Sequence, residues 1–116
     1  SGTFYCNYDI FKNIYQINVR AARRALRSRF LVLLTLREGG TQEHIDDETE
    51  TLRQVISEQL RKNDVFSQYN VAQYSVILAA QNIEGCEKAM RRIMDKYCQR
   101  RKFDTVTLEY EIKQIK

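Results

Sequence analysis

The sequence predicts an α+β fold: a leading helix followed by a β-α-β-β-α-β run, forming an antiparallel sheet with helices packed on one face. Three observations predict it. Three stretches repeat apolar residues at helical spacing, while four shorter ones are continuously apolar or alternate with period two. The 116 residues include no proline and only four glycines, which favours long regular elements over a turn-dense β-sandwich. Hydrophobic residues make up 43% of the chain, too many for a disordered segment. A chain of this mass buries roughly two-thirds of its surface on folding, so residues 1–116 are read as one domain with one core.

The first helix is expected from about Tyr8 to Leu26, with Ile10, Phe11, Ile14, Ile17, Ala21, Ala22 and Ala25 as its apolar stripe. Asn7 or Asp9 can cap its start. Arg20, Arg23, Arg24 and Arg27 crowd its end, where cations complement the helix dipole. Phe30 to Leu36 is apolar at nearly every position, the pattern of a strand covered on both sides or central in a sheet, and Gly39-Gly40 ends it. A second helix follows from about Glu43 to Arg61. Its stripe is Ile45, Leu52, Val55, Ile56 and Leu60; acidic residues Asp46, Asp47, Glu48 and Glu50 fill its first turns, and Arg53, Arg61 and Lys62 come later.

Asp64 to Tyr69 and Gln73 to Ala79 read as a hairpin turning at Asn70, a residue that tolerates left-handed backbone. The third helix, about Ile83 to Arg100, is capped by Asn82 and striped by Cys86, Ala89, Met90, Ile93, Met94 and Tyr97. Val106, Leu108, Tyr110 and Ile112 then alternate with polar residues as a half-exposed last strand. A β-α-β-β-α-β run is the split βαβ, ferredoxin-like unit, here with an added N-terminal helix.

The net charge is +4, from 19 basic and 15 acidic residues, so the distribution of charge matters more than its sum. No apolar run approaches membrane-spanning length, and no signal peptide is evident. Cys6, Cys86 and Cys98 are odd in number and widely spaced. They form neither a disulfide framework nor a CxxC motif, which points to a reduced, cytoplasmic setting with Cys86 and Cys98 as small buried hydrophobes. His44 is the lone histidine and reads as a surface residue at a helix start; ligands for zinc and a cysteine–histidine nucleophile pair are both lacking. The chain starts without methionine, as expected of a fragment of a longer protein.

A leading helix on this unit, with a hairpin between its two main helices, resembles the diguanylate cyclase (GGDEF) fold. That family carries Gly-Gly-Asp/Glu-Glu-Phe at the hairpin. Here the matching stretch is Asn70-Val71-Ala72-Gln73-Tyr74, preceded by Asp64-Val65-Phe66-Ser67-Gln68-Tyr69. The frame is similar, and of the signature only the aromatic end is kept, as Tyr74. Tyr5 to Tyr15, Phe30 to Leu36 and Asp64 to Leu78 more closely resemble degenerate domains of this kind at the C-terminus of clostridial-type, SARP-like transcriptional regulators with a bacterial transcriptional activator (BTAD) region.

The resemblance implies what the site should lack. Cyclase chemistry needs carboxylates for divalent metal, and the family's metal positions fall at Thr35 and Arg37 on the first strand and at Ala72 and Gln73 on the hairpin. The chain is therefore expected not to be an enzyme and to need no cofactor. Val71 also adds a side chain where glycine would let a nucleotide approach. Product-inhibited relatives carry an Arg-x-x-Asp that binds cyclic di-GMP, and Arg61-Lys62-Asn63-Asp64 stands five residues before Asn70. Arg can pair guanine or phosphate there, and Asp can accept from guanine donors; equally, Arg61 suits a helix end and Asp64 a helix-to-strand turn.

Three functions are thus expected in order. First is a non-catalytic regulatory domain of a bacterial transcription factor, acting through other domains of its parent chain or as a homodimer. DNA would be bound by the parent protein rather than by this domain. Tyr8, Tyr15, Arg20, Arg23, Arg24 and Arg27 would form its interaction surface, tyrosine being favoured at interfaces. Second is a cyclic di-GMP or nucleotide receptor through Arg61 and Asp64. Third is accessory nucleic-acid binding through Arg20, Arg23, Arg24, Arg27 and Arg29 or through Arg91, Arg92, Lys96, Arg100, Arg101 and Lys102.

Overall fold

The computed structural model describes residues 3–24 and 27–116. The chain runs β1 (Phe4–Tyr5), α1 (Tyr8–Ala21), a 3₁₀ turn (Ala22–Arg24), β2 (Ser28–Glu38), α2 (Ile45–Gln59), β3 (Val65–Asn70), β4 (Gln73–Ala80), α3 (Ile83–Arg100) and β5 (Val106–Ile115). The strands form one sheet in the order β1-β3-β4-β2-β5. Its last four strands are antiparallel neighbours, as the ferredoxin-like reading requires.

Two expectations are corrected at the sheet. It has five strands rather than four, and it is mixed, because β1 adds in parallel to β3 with Phe4 opposite Val65. The helices also occupy both faces. Along β2 the even residues Phe30, Val32, Leu34 and Leu36 point into the core under α2 and α3. The opposite face, through Leu31, Ile77, Val65 and Ile115, receives α1 with Phe11, Ile14, Tyr15 and Val19. A central strand buried on both faces is why Phe30 to Leu36 lacks alternation.

α1 packs on a face rotated from the expected stripe. Phe11 is its only buried residue, while Ile10 and Ile17 stand 44% and 56% exposed. Tyr8, Phe11, Tyr15 and Val19 repeat at helical spacing and supply the true contact. Asn7, not Asp9, caps the helix, accepting from Ile10 N at 2.9 Å. The expected continuation through Ala25 and Leu26 lies outside the described residues. α3 has the expected bounds, with Asn82 Oδ1 accepting from Gly85 N at 3.0 Å and Cys86, Ala89, Met90, Ile93 and Tyr97 buried.

α2 ends at Gln59, so Arg61 and Lys62 lie beyond it rather than in its last turn. Glu48, one of its early acids, is fully buried. Its Oε2 accepts from Lys102 N and Phe103 N, both at 2.8 Å, pinning the loop between α3 and β5. Its charge and, more strongly, burial raise the Tyr97 phenol above the usual range. Among the described residues no helix is long and apolar enough to cross a membrane.

Candidate functional site

Two clefts hold the residues singled out in the sequence. The first lies at the β3–β4 hairpin, where the degenerate signature folds back against the end of β2. The turn is built differently from expectation: among the described residues no non-glycine has positive φ. Asn70 instead shapes it with its side chain, Oδ1 accepting from Ala72 N at 3.0 Å and Nδ2 donating to Gln73 Oε1 at 2.6 Å, an Asx turn in place of a left-handed residue. Val71 is 52% exposed at the tip.

The hairpin is anchored on both sides. Leu36 N donates to Ala72 O at 2.9 Å, the Thr49 hydroxyl on α2 donates to Val71 O, and the Tyr74 hydroxyl donates to Thr49 O at 3.0 Å. Tyr74 is buried between α2 and the sheet, and desolvation raises its phenol above the usual range. Thr35 and Gln73 sit directly opposite in the β2–β4 register, and Gln73 Nε2 donates to Thr35 Oγ1 at 2.9 Å. A shallow cleft of about 480 Å³ opens here. Arg37, at its rim, is paired with Glu109 on β5. Glu38 lines it too, but its carboxylate is turned to the other side.

There Glu38 Oε2 lies 2.5 Å from His44 Nδ1 and accepts from the Thr105 hydroxyl at 2.8 Å, while Oε1 accepts from His44 N at 3.1 Å. His44 is therefore not a free surface histidine. Its ring stacks on Phe103 at 3.8 Å and is about a quarter exposed. The bond to Glu38 raises the imidazole pKa against a smaller opposing desolvation, and the same bond holds the Glu38 carboxyl below its ordinary value. Sequence reasoning missed this lock; a lone acid beside a glycine pair and a lone histidine carry no spacing signal.

The second cleft, about 600 Å³, lies between the α2–β3 turn, the end of β4 and the start of α3. It contains both Arg61 and Asp64. Asp64 is buried, 5% exposed, with Oδ2 accepting from Arg61 N at 2.8 Å and Oδ1 from Ala79 N at 3.3 Å. The bond to Arg61 uses the backbone, and the Arg61 side chain stays exposed. Arg27, Lys88 and Arg92 join Arg61 around the opening. None of these four side chains has an ion-pair partner among the described residues. Lys88 and Arg92 could be found by spacing, since they lie one turn apart on α3. Their meeting with Arg61 and Arg27 depends on the tertiary fold.

The remaining predicted residues do not converge. Tyr8 and Tyr15 are half-buried in the packing of α1, with Tyr8 4.9 Å from Tyr69, while Arg20, Arg23 and Arg24 are exposed. In the second basic cluster, Arg100 makes a two-point bond with Glu58, at 2.8 and 2.6 Å, and Arg101 donates to Val106 O at 2.8 Å. Of the two cysteines expected in the core, Cys86 is buried and Cys98 is exposed on the outer face of α3.

No protein-family model matches the chain, and no curated protein matches it. Solved structures do. The GGDEF domain of FimX from Pseudomonas aeruginosa superposes with a TM-score of 0.77 at 16% identity, over 94% of this chain and 74% of that one. A DGC protein from Thermotoga maritima gives 0.76 at 10% identity, covering 97% of this chain and 81% of its own. The GGDEF domain of DgcB from Caulobacter crescentus, in complex with c-di-GMP, gives 0.73 at 12% identity, covering 100% and 76%. At these identities the likeness concerns architecture, and the chain has the α+β fold of GGDEF domains.

Proposed function

We propose that this chain is a non-catalytic regulatory domain of the GGDEF fold, and that it does not make cyclic di-GMP. One observation carries the reading. None of the positions matched to the family's metal carboxylates, Thr35, Arg37, Ala72 and Gln73, is acidic, and Thr35 and Gln73 face each other as neutral side chains bonded to one another at 2.9 Å. A divalent cation near a triphosphate wants several oxygen ligands with negative charge among them. Here Arg37 adds a cation and Glu38 is committed to His44 and Thr105, so the side chains do not fit such a metal. The finer part of the proposal is the setting: a module of a bacterial transcriptional regulator, resembling those with a BTAD region, that docks on other domains of its parent chain while DNA is bound elsewhere. The chain is incubated with GTP and magnesium and the products are separated. Unreacted GTP is expected, and any cyclic di-GMP overturns the reading.

A second reading is favoured by the basic cleft: a receptor for cyclic di-GMP through Arg61 and Asp64. Its support is the concavity itself, with four cations that have no ion-pair partner among the described residues, in a fold whose DgcB relative was solved with that ligand. Calorimetry of the chain with cyclic di-GMP, repeated on Arg61→Ala, tests it. Heat that is lost with the variant is expected, and no heat with the unaltered chain removes it.

A further inference from the structure

We infer that the outer edge of β5 pairs with the same edge of a second copy of this chain, antiparallel and centred on Ile112, so that two five-stranded sheets become one. The two edges of the sheet are unlike. On one side it ends at β1, whose two residues are too short an edge to seat another strand. On the other side it ends at β5, ten residues long. The ladder from β5 to β2 runs from Val106 to Ile115 without a register shift, so no bulge bends this edge away. The chain has no proline to interrupt it. Among the described residues, Thr107 to Ile115 make no backbone hydrogen bond except to β2. Every second residue of β5 therefore turns an N–H and a C=O outward, the template on which a further strand adds.

The side chains of β5 select both the partner and the register. On the core face, Tyr110 and Ile112 pack against the core but stay partly open at the margin of the sheet. On the other face Glu109, Glu111 and Lys113 are exposed. Glu109 is paired with Arg37, while Glu111 and Lys113 have no ion-pair partner among the described residues. A two-fold axis normal to the sheet keeps each face beside its like, so core-facing residues meet core-facing residues. Centred on Ile112, the pairing sets Glu111 opposite Lys113 of the second copy, twice by symmetry. It also sets Ile112 against its own counterpart, which carries the apolar layer across the junction. The neighbouring registers collide. Centring on Tyr110 sets Glu109 against Glu111 twice, centring on Glu111 sets that glutamate on itself, and centring on Lys113 does the same with the lysine. Charges that keep an open edge from pairing at random thus admit one register, and the Glu-x-Lys pattern that admits it is complementary to itself.

Sedimentation equilibrium of the 116-residue chain tests the pairing. Loading concentrations run from about 1 µM to about 1 mM, the range in which a small interface associates. A monomer passing to a dimer as concentration rises is expected. Lys113→Glu exchanges two attractive cross-strand pairs for two repulsive ones, which should weaken the dimer by at least about fourfold. Glu111→Lys combined with Lys113→Glu reverses both charges, restores the match and should regain the affinity that the single variant loses. Both positions are exposed, and melting curves check that the variants fold. Hydrogen exchange on the unaltered chain gives a second measure: the β5 amides turned away from β2 should gain protection as concentration rises. A chain that stays monomeric throughout the range overturns the inference. So does a dimer that Lys113→Glu leaves unchanged, that the double reversal does not rescue, or whose added protection falls outside β5.

Discussion

Replacing Asp64 by alanine and Arg61 by alanine should have very unequal consequences for stability, though both belong to the same Arg-x-x-Asp. The Asp64 carboxylate closes the α2–β3 turn by accepting from Arg61 N and reaches across to Ala79 N on β4. Bonds to a charged acceptor contribute about 1.5–3 kcal/mol each, and donors stripped of their partner in a buried site cost a similar amount. Here one bond is short at 2.8 Å and the other long at 3.3 Å, so the lower half of that range applies. Asp64→Ala is then expected to cost about 3 kcal/mol. For 116 residues the unfolding entropy is about 0.24 kcal/mol per degree, so the melting temperature should fall by about 12 °C. Arg61→Ala removes an exposed side chain and keeps the backbone N–H that Asp64 uses. Its stability should stay within about 0.5 kcal/mol. Thermal melts followed by circular dichroism, with urea titrations as a second measure, decide between them. Two results refute the reasoning: an Asp64→Ala protein that melts within about 4 °C of the unaltered chain, or an Arg61→Ala protein destabilised as much as Asp64→Ala. The second would mean that the aspartate is held by the guanidinium rather than by the peptide.

Thr35→Asp combined with Gln73→Glu places two carboxylates directly opposite across β2 and β4, where like charges destabilise. The double variant should melt below the parent in chelator and recover with manganese, while the parent ignores the metal. A pH series should expose the His44–Glu38 lock. The raised imidazole pKa contributes stability below the ordinary value of about 6.5, lost as pH rises through the folded value above it. The lowered Glu38 pKa contributes above about 4.3, lost as pH falls through the folded value beneath it. The lock is therefore fully felt between those two values, so His44→Gln should lower stability within that window and flatten the falls on either side of it. Thiol labelling of the native chain should modify Cys98 fast. Cys86, buried and with its pKa pushed up to about 12 by desolvation, should react only after unfolding, as should buried Cys6.

How legible each feature is in the sequence follows from whether one segment carries its whole cause. α3 is legible to the residue, because its cap and its stripe are local and agree. α1 is legible as a helix but not in its rotation. With Ile10, Phe11, Ile14, Tyr15 and Ile17 close together, more than one apolar stripe can be drawn, and only the second sheet face selects among them. β1 has two residues and exists through its parallel partner, Val65–Phe66. Glu48 reads as one more acid in a helix's first turn, and its burial is decided by the peptide groups of Lys102 and Phe103, 54 and 55 residues away.

The candidate site divides in the same way. Which side chains occupy the hairpin can be read from spacing, and the neutral contact of Thr35 with Gln73 follows once the register is known. Asp64 illustrates the harder case. Its spacing from Arg61 suits a ligand clamp and a turn-closing residue equally, and only the fold shows that it accepts from Arg61 N and Ala79 N and so closes the turn. The weight of the cleft thereby moves from the aspartate to cations that no single motif contains: Arg61 past the end of α2, Arg27 before β2, and Lys88 with Arg92 on α3. A motif that keeps its letters can thus change its chemistry. With the acidic half taken up by the fold, what lines the opening of the cleft is positive charge, from Arg27, Arg61, Lys88 and Arg92.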